Sequence, residues 1–346
     1  MKLVVSGYYG YGNAGDEAVL AGMLSSLRRE RDDLDVTVLS GNPEHTERTH
    51  GIASISRSRP LALARAMRDA DGLISGGGSL LQDRTSFRPV AYYAGVMRLA
   101  RWLRRPYVVY AQGLGPIRRR PNRWLAATAL NHAGYCSLRD EASVALARKL
   151  GVRRQIDLVP DPALALQPPS GQSGGHLLVA VRPWGTWTPY LASLRDALRE
   201  LADELPIVAL PMQGSTDFAA STEVIAGIGR AEVLSPDSTL DEQLAAIGSA
   251  RVVIGMRLHA LILAAAAGVP AVAVSYDPKV DAFAAQVGLP VVGHVAAPID
   301  PGDVILTVRR VLAADQRPYL DRVEQLRGDL QRSAAASLSA IGDGAA

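Results

Sequence analysis

Short apolar runs alternate with longer amphipathic stretches along the whole chain. Runs rich in valine, isoleucine and leucine predict strands buried on both faces, and the stretches between them predict crossover helices. The pattern is that of an α/β fold with parallel sheets. In the first half, strands are expected at 3–6, 36–40, 72–75, 107–112, 135–138 and 156–160. The segment "QPPSGQSGG" at 167–175 then interrupts all periodicity and reads as a linker. A second series follows at 177–181, 207–210, 232–234, 252–255, 271–276 and 291–292. The expected architecture is two Rossmann-like, doubly wound domains facing across a cleft, at 1–168 and 176–314. An amphipathic helical tail at 315–346 is expected to pack back on the first domain.

Composition changes this picture little. A chain of 346 residues exceeds the size at which single cores stop growing, roughly 250–300 residues, and 48% hydrophobic content suffices for two cores. The one cysteine, Cys136, allows no internal disulfide and suits a reducing compartment. The apolar run after Lys2 is far shorter than a signal peptide needs. The longest apolar stretch, 260–274, is broken by Gly268 and Pro270 before it reaches the ~20 residues of a membrane span. A cytoplasmic protein is therefore expected. A net charge of +3 argues against nucleic acid as a partner. Almost all the positive charge is arginine, as a GC-rich genome would give, and the lysines are Lys2, Lys149 and Lys279.

Polar groups are concentrated where predicted strands end, which is where open parallel sheets bind ligands. In the second half, Arg182 and Trp184 follow "LLVAV", Gln213 follows "IVALPM", Arg257 and His259 follow "VVIGM", and Asp277 and Lys279 follow "AVAVSY". Three cations, Arg182, Arg257 and Lys279, at one sheet edge suit a compact polyanion. The helix expected to start after Arg257 adds its backbone N–H groups, beginning with that of Leu258. His259 has the side chain suited to moving protons near neutral pH, although an isolated histidine is as readily a structural cap. Asp277 either caps the next segment or orients Lys279. No grouping of histidine, cysteine and carboxylates suggests a metal, and none is expected to be required.

The first half carries glycine-rich turns instead. "GYYGYGNAGDEAVL" places Gly10, Gly12 and Gly15 in a G-x-G-x-x-G spacing after a strand. The acid that should bind a ribose is missing after the second strand, since Asp35 precedes it, so a dinucleotide cofactor is not expected. What remains is a loop whose backbone can approach a ligand, with Asn13, Asp16 and Glu17 at the helix start. Asp16 either caps that helix, binds sugar hydroxyls or acts as a base. Gly76 and Gly77 in "ISGGGSLLQD", Gln112 in "YAQGLGP" and Arg139 in "SLRDE" stand at further strand ends, and Asp161 lies in "VPDPAL". "YYAGVMRLARWLRRPY" sets Met97, Trp102 and Leu103 beside Arg98, Arg101, Arg104 and Arg105, and "IRRRPNRW" follows. Such a helix either lies on anionic lipid or is simply a crossover helix with cations near its C-terminus.

Taken together and in order, "GYYGYGNAGDEAVL", "GGGSLLQD", "YAQGLGP", "SLRDE", "VPDPAL", "VRPW" and "GMRLHALILAAAAGVPAVAVSYDPKV" resemble the polysaccharide pyruvyl transferase family. The likeness is strongest to bacterial enzymes that pyruvylate secondary cell-wall polymers. It implies a fold like that of GT-B glycosyltransferases, with the donor site in the C-terminal domain. It also implies transfer of the pyruvyl group of phosphoenolpyruvate to two hydroxyls of a sugar, forming a cyclic ketal and releasing phosphate. The implied acceptor is a lipid-linked saccharide bearing N-acetylmannosamine, and phosphoenolpyruvate is a co-substrate rather than a cofactor. The "RLH" element of the family falls on Arg257 and His259. On this reading Arg182, Gln213, Arg257, Leu258, His259 and Lys279 hold the donor. His259 and Arg257 act in catalysis with Asp16 (or Glu17) as base. Asn13, Asp16, Glu17, Gly76, Gly77, Gln112 and Arg139 face the acceptor, and the tryptophans of "RPWGTWTPY" form a lid or a sugar-stacking surface. A lipid carrier would draw the protein to the inner face of the membrane. The rival readings are a glycosyltransferase using a nucleotide-sugar and a non-catalytic binding protein.

Overall fold

A computed structural model describes all residues except 85, 168–174, 186–188 and 346. Most of the expected linker, and Trp187, therefore lie outside the described residues. The chain divides into two units: Met1–Tyr11, Asp16–Ala165 and Leu326–Ala346 form the first, and Gly12–Gly15 with Leu166–Gln325 form the second.

The first unit is built on β1 (Lys2–Tyr9), β2 (Asp35–Ser40), β3 (Ala53–Ser56), β4 (Gly72–Gly76), β5 (Tyr107–Gln112), β6 (Cys136–Leu138) and β7 (Asp157–Leu158). They form one seven-stranded sheet in the order β3-β2-β1-β4-β5-β6-β7, with parallel pairing. Every residue of β4 and β5 is buried, as their unbroken apolar runs require. The apolar pattern does not announce β3. It lies at the sheet edge with the sequence ASIS and buries none of its side chains fully, so nothing selects an apolar run there. The last helix, Arg317–Ala345, supplies Leu326, Leu330, Ala334, Leu338 and Ile341 at helical spacing, all buried. The Tyr110 hydroxyl donates to Leu330 O at 3.4 Å, and Ser137 bonds Ser333 at 3.1 Å. From Leu326 onward this helix is part of the first unit's core.

The second unit contains β8 (His176–Ala180), β9 (Ile207–Ala209), β10 (Ala231–Val233), β11 (Ala250–Gly255), β12 (Ala271–Ser275) and β13 (Val291–His294). Its six-stranded sheet runs β10-β9-β8-β11-β12-β13. This is the doubly wound order, in which the winding reverses between the first strand, β8, and the fourth, β11. The corresponding reversal in the first sheet lies between β1 and β4. These two points are where ligands bind in such sheets, beyond the carboxyl ends of the strands. Among the described residues, no helix is long and apolar enough to cross a membrane.

Candidate functional site

In the second unit, β8 and β11 pair with Ala180 opposite Gly255. Arg182 and Arg257 lie two residues beyond that pair, so the register itself places both arginines at the reversal of the sheet. The Met256 N–H donates to Ala180 O at 2.8 Å, which keeps the two strand ends joined up to this point. Arg257 is also the N-cap of the helix Leu258–Ala266, and its side chain makes no capping hydrogen bond. Ala260 through Ala266 are all buried. Packing therefore fixes this helix, and its positive end with the Leu258 amide faces the strand ends without a side-chain cap.

Arg257 does not offer its whole charge to a ligand, a pairing the sequence does not announce. Its Nε donates to Asp217 Oδ2 at 2.8 Å, and its Nη2 donates to Asp217 Oδ1 and to Gln213 Oε1, the latter at 2.9 Å. Asp217 is 0% exposed and also accepts the Gln213 N–H at 3.0 Å. The carboxylate thus grips one edge of the guanidinium fork, and Nη1 is the edge left over. Gln213, expected on a donor, is exposed and its Oε1 helps to orient this arginine. Spacing along the chain does not reveal Asp217, because it follows β9 and the pairing crosses the end of the intervening β8.

Arg182 makes no ion pair among the described residues. Its Nη1 donates to the Tyr276 hydroxyl at 3.3 Å, and its guanidinium lies 4.9 Å from the Tyr276 ring centre and 5.6 Å from that of Trp184. The two rings meet edge to face and pack on the core. Trp184 therefore supports Arg182. An aromatic cradle holds a cation in place without cancelling its charge. His259 is half-buried in the first turn of its helix. Lys279 is exposed at the start of the helix Pro278–Val287, where Asp277 is the N-cap and accepts the Lys279 N–H at 3.0 Å. The choice left open for Asp277 resolves to capping.

In the first unit the sequence candidates separate into two groups. Glu17 is buried, accepting the Gly10 N–H at 2.9 Å and bonding His50 Nε2 at 2.8 Å, so it shapes the glycine loop rather than facing a ligand. Arg139 is likewise buried, bonded to Asp161 at 3.0 Å and to Ser79 at 3.0 Å. Both were expected on the acceptor, and both are engaged internally because a buried charge demands a partner. Gly77 has φ +54°, and a Cβ there would fall 1.9 Å from Val19 Cγ1. With Gly76, where a Cβ would fall 2.6 Å from Met23 Sδ, it lets the helix Ala14–Glu30 pack closely on the sheet. Asp16, half-buried, is thereby carried beside Gly78 at the reversal of the first sheet. Asn13, which groups with the second unit, is half-buried too and accepts the Gly15 N–H at 3.1 Å.

Gln112 is 0% exposed, and neither atom of its amide has a hydrogen-bond partner among the described residues. That placement is at odds with direct contact to a saccharide. Gln112→Leu should stabilise the protein by about 1–3 kcal/mol, since it removes an unsatisfied buried amide at similar volume. Urea denaturation would measure the change, and a loss of stability would show that the amide has a partner.

Sequence reasoning missed an aromatic face beside the glycine loop. Tyr8 and Tyr11, both exposed, stack with ring centres 4.3 Å apart and planes 14° apart. The Arg57 guanidinium lies 5.9 Å from the Tyr11 ring centre and 4.1 Å from that of Tyr92. The signal was present as "GYYGYG": tyrosines at a strand end, where an unsupported apolar ring has no structural need to be.

The polysaccharide pyruvyl transferase family matches residues 13–278, from the glycine loop to the start of the helix that carries Lys279. The amylovoran biosynthesis protein AmsJ of Erwinia amylovora is 22% identical, covering 90% of this chain and 92% of AmsJ. Among solved structures, the UDP-GlcNAc 2-epimerase of Neisseria meningitidis superposes with a TM-score of 0.65 at 11% identity, covering 99% of this chain and 100% of that one. The E. coli ADP-heptose heptosyltransferase II does so with a TM-score of 0.52 at 15% identity, covering 90% and 98%. Those two share the fold, two parallel-sheet α/β domains of GT-B type. The family match covers 13–278, most of the chain, and includes the β8–β11 reversal with Arg182, Arg257 and His259; on that extent the chain belongs to the polysaccharide pyruvyl transferase family.

Proposed function

We propose that the protein transfers the pyruvyl group of phosphoenolpyruvate to two hydroxyls of a sugar in a lipid-linked cell-wall polysaccharide precursor. The observation that carries this reading is the pair Arg182 and Arg257 at the β8–β11 reversal, beside a helix N-terminus without a side-chain cap. Phosphoenolpyruvate presents a phosphate and a carboxylate on three carbons, and this arrangement suits such a compact anion. Arg182, cradled by aromatic rings, carries most of the charge. The Nη1 edge of Arg257, the Leu258 amide and Lys279 complete the donor's contacts. A family concerned with polysaccharides, and a relative named for amylovoran biosynthesis, support the saccharide acceptor.

Two hydroxyl protons must be accounted for. One sugar oxygen bonds to the central carbon of the donor while the methylene carbon gains a proton and becomes a methyl group. The C–O bond to phosphate then breaks, the second sugar oxygen bonds to the same carbon, and the second proton leaves with the phosphate. His259 is assigned the proton delivered to carbon or to the departing phosphate. On the first unit, Asp16 is assigned the hydroxyl it would deprotonate, and the Tyr8–Tyr11 face the sugar ring it would stack. None of these steps calls for a metal ion.

Thermal melting tests the donor. Phosphoenolpyruvate should raise the melting temperature by mass action, by an amount equivalent to about 2.7 kcal/mol at 100 times its Kd. Arg182→Ala should remove most of that shift. A shift with UDP-sugars and none with phosphoenolpyruvate would replace this reading with that of a glycosyltransferase.

A further inference from the structure

A net charge of +3 conceals a strong asymmetry. Between Asp83 and Asp140 lie 56 residues with eleven arginines and not one carboxylate, while the other 290 residues hold 26 basic and 34 acidic groups. Apart from Arg139, which follows β6, these arginines lie on two helices of the first unit, Arg88–Trp102 and Arg120–Asn131, and in the turns beside them. Apart from Arg139, none of these arginines makes an ion pair among the described residues. Asp83 is buried and accepts the N–H groups of Arg118 and Arg119 at 2.8 and 2.9 Å. Burial works against its ionisation, but those amides and the Asn122 side chain outweigh it and hold the carboxyl below its usual range. It anchors the backbone and leaves the guanidinium groups to solvent.

The same two helices expose indoles. The first buries Val90, Tyr93, Ala94 and Met97 on one side, and Trp102 is 78% exposed at its end. The second exposes Trp124 to 63%. Arg98, Arg101, Trp124, Thr128 and His132 line a groove of about 240 Å³ between them. A protein that kept this face in water would have reason to lose both indoles. Arginines without ion pairs beside exposed tryptophans, Trp124 in one groove with Arg98 and Arg101 and Trp102 next to Arg101 in the chain, are the pattern of a surface that rests on a bilayer, with rings at headgroup depth and cations on lipid phosphates. A soluble anion would call instead for converging, partly buried donors, and a duplex nucleic acid held by its phosphates would not need exposed indoles beside the charges.

We infer that the face formed by these two helices docks on an anionic lipid surface. The inference goes beyond the pyruvyl-transfer reading and does not rest on it, since no saccharide or donor is needed to observe it.

Co-sedimentation of the full chain with vesicles tests it, using phosphatidylcholine alone or with about 30% phosphatidylglycerol at about 0.15 M salt. Binding is expected to the anionic vesicles only and to weaken as salt rises. Arg98→Glu with Arg101→Glu should lower the partition coefficient by about 30-fold or more. Trp102→Ala with Trp124→Ala should lower it several-fold, with little change in its salt dependence. All four side chains are exposed, so melting temperatures should hold. If the first pair lowers the melting temperature, Arg119→Glu with Arg123→Glu takes its place. Equal binding to uncharged vesicles, retention of binding in the charge-reversed protein, or tighter binding of double-stranded RNA through the same arginines would overturn the proposal.

Discussion

Exchange of His259 for alanine is expected to lower turnover by about 10²–10⁴-fold, the usual range for loss of a positioned general acid. Phosphoenolpyruvate should still raise the melting temperature of the variant, because Arg182, the Leu258 amide and Lys279 remain. Phosphate release with a saccharide acceptor, measured beside the thermal shift, separates the two effects. Turnover close to that of the unaltered protein would remove the imidazole from the chemistry. Loss of the thermal shift along with turnover would make His259 a binding group. The residue is well suited to such a test, since it sits in the first turn of a helix whose following residues are all buried.

Removal of Asp217 should be the most damaging single change to stability near the site. Asp217→Ala takes the carboxylate from the Arg257 guanidinium and the acceptor from the Gln213 backbone N–H, and breaking such a pair costs about 3–5 kcal/mol. The lower end applies, because the Arg257 side chain keeps 14% of its surface in water. Asp217→Asn retains one oxygen for the arginine and should cost about 1–3 kcal/mol. Donor affinity should fall in both variants, since the Nη1 edge of Arg257 loses its fixed direction. Urea denaturation of Asp217→Ala, Arg257→Ala and the double variant closes a cycle. The two losses should be far from additive, and additive losses would mean that the pair is not a unit.

Much of the fold was written in the apolar pattern, because strands buried on both faces have no freedom to be polar. β4 and β5 could be marked from their sequences alone for that reason. β3 could not, since an edge strand satisfies half its backbone without burying side chains. The arginine and histidine after β11 were legible as charges set against a wholly apolar helix. The partner of that arginine was not, because Asp217 reaches it past a third strand and strand order is a property of the folded sheet. The same limit accounts for Glu17 and Arg139. Their positions at strand and helix ends suit a ligand, and only the fold reveals that His50 and Asp161 already meet them.

The last helix has a consequence for how the protein is made. Leu326 and the residues after it complete a unit whose other strands are encoded before residue 166. As the nascent chain leaves the ribosome, about 160 residues must pass before that closing segment arrives. At 5–20 residues per second this is a wait of roughly 8–30 s. During it, the groove on the first sheet that the helix will fill stands open to chaperones. Translation order and assembly order therefore differ: the unit begun first is finished last.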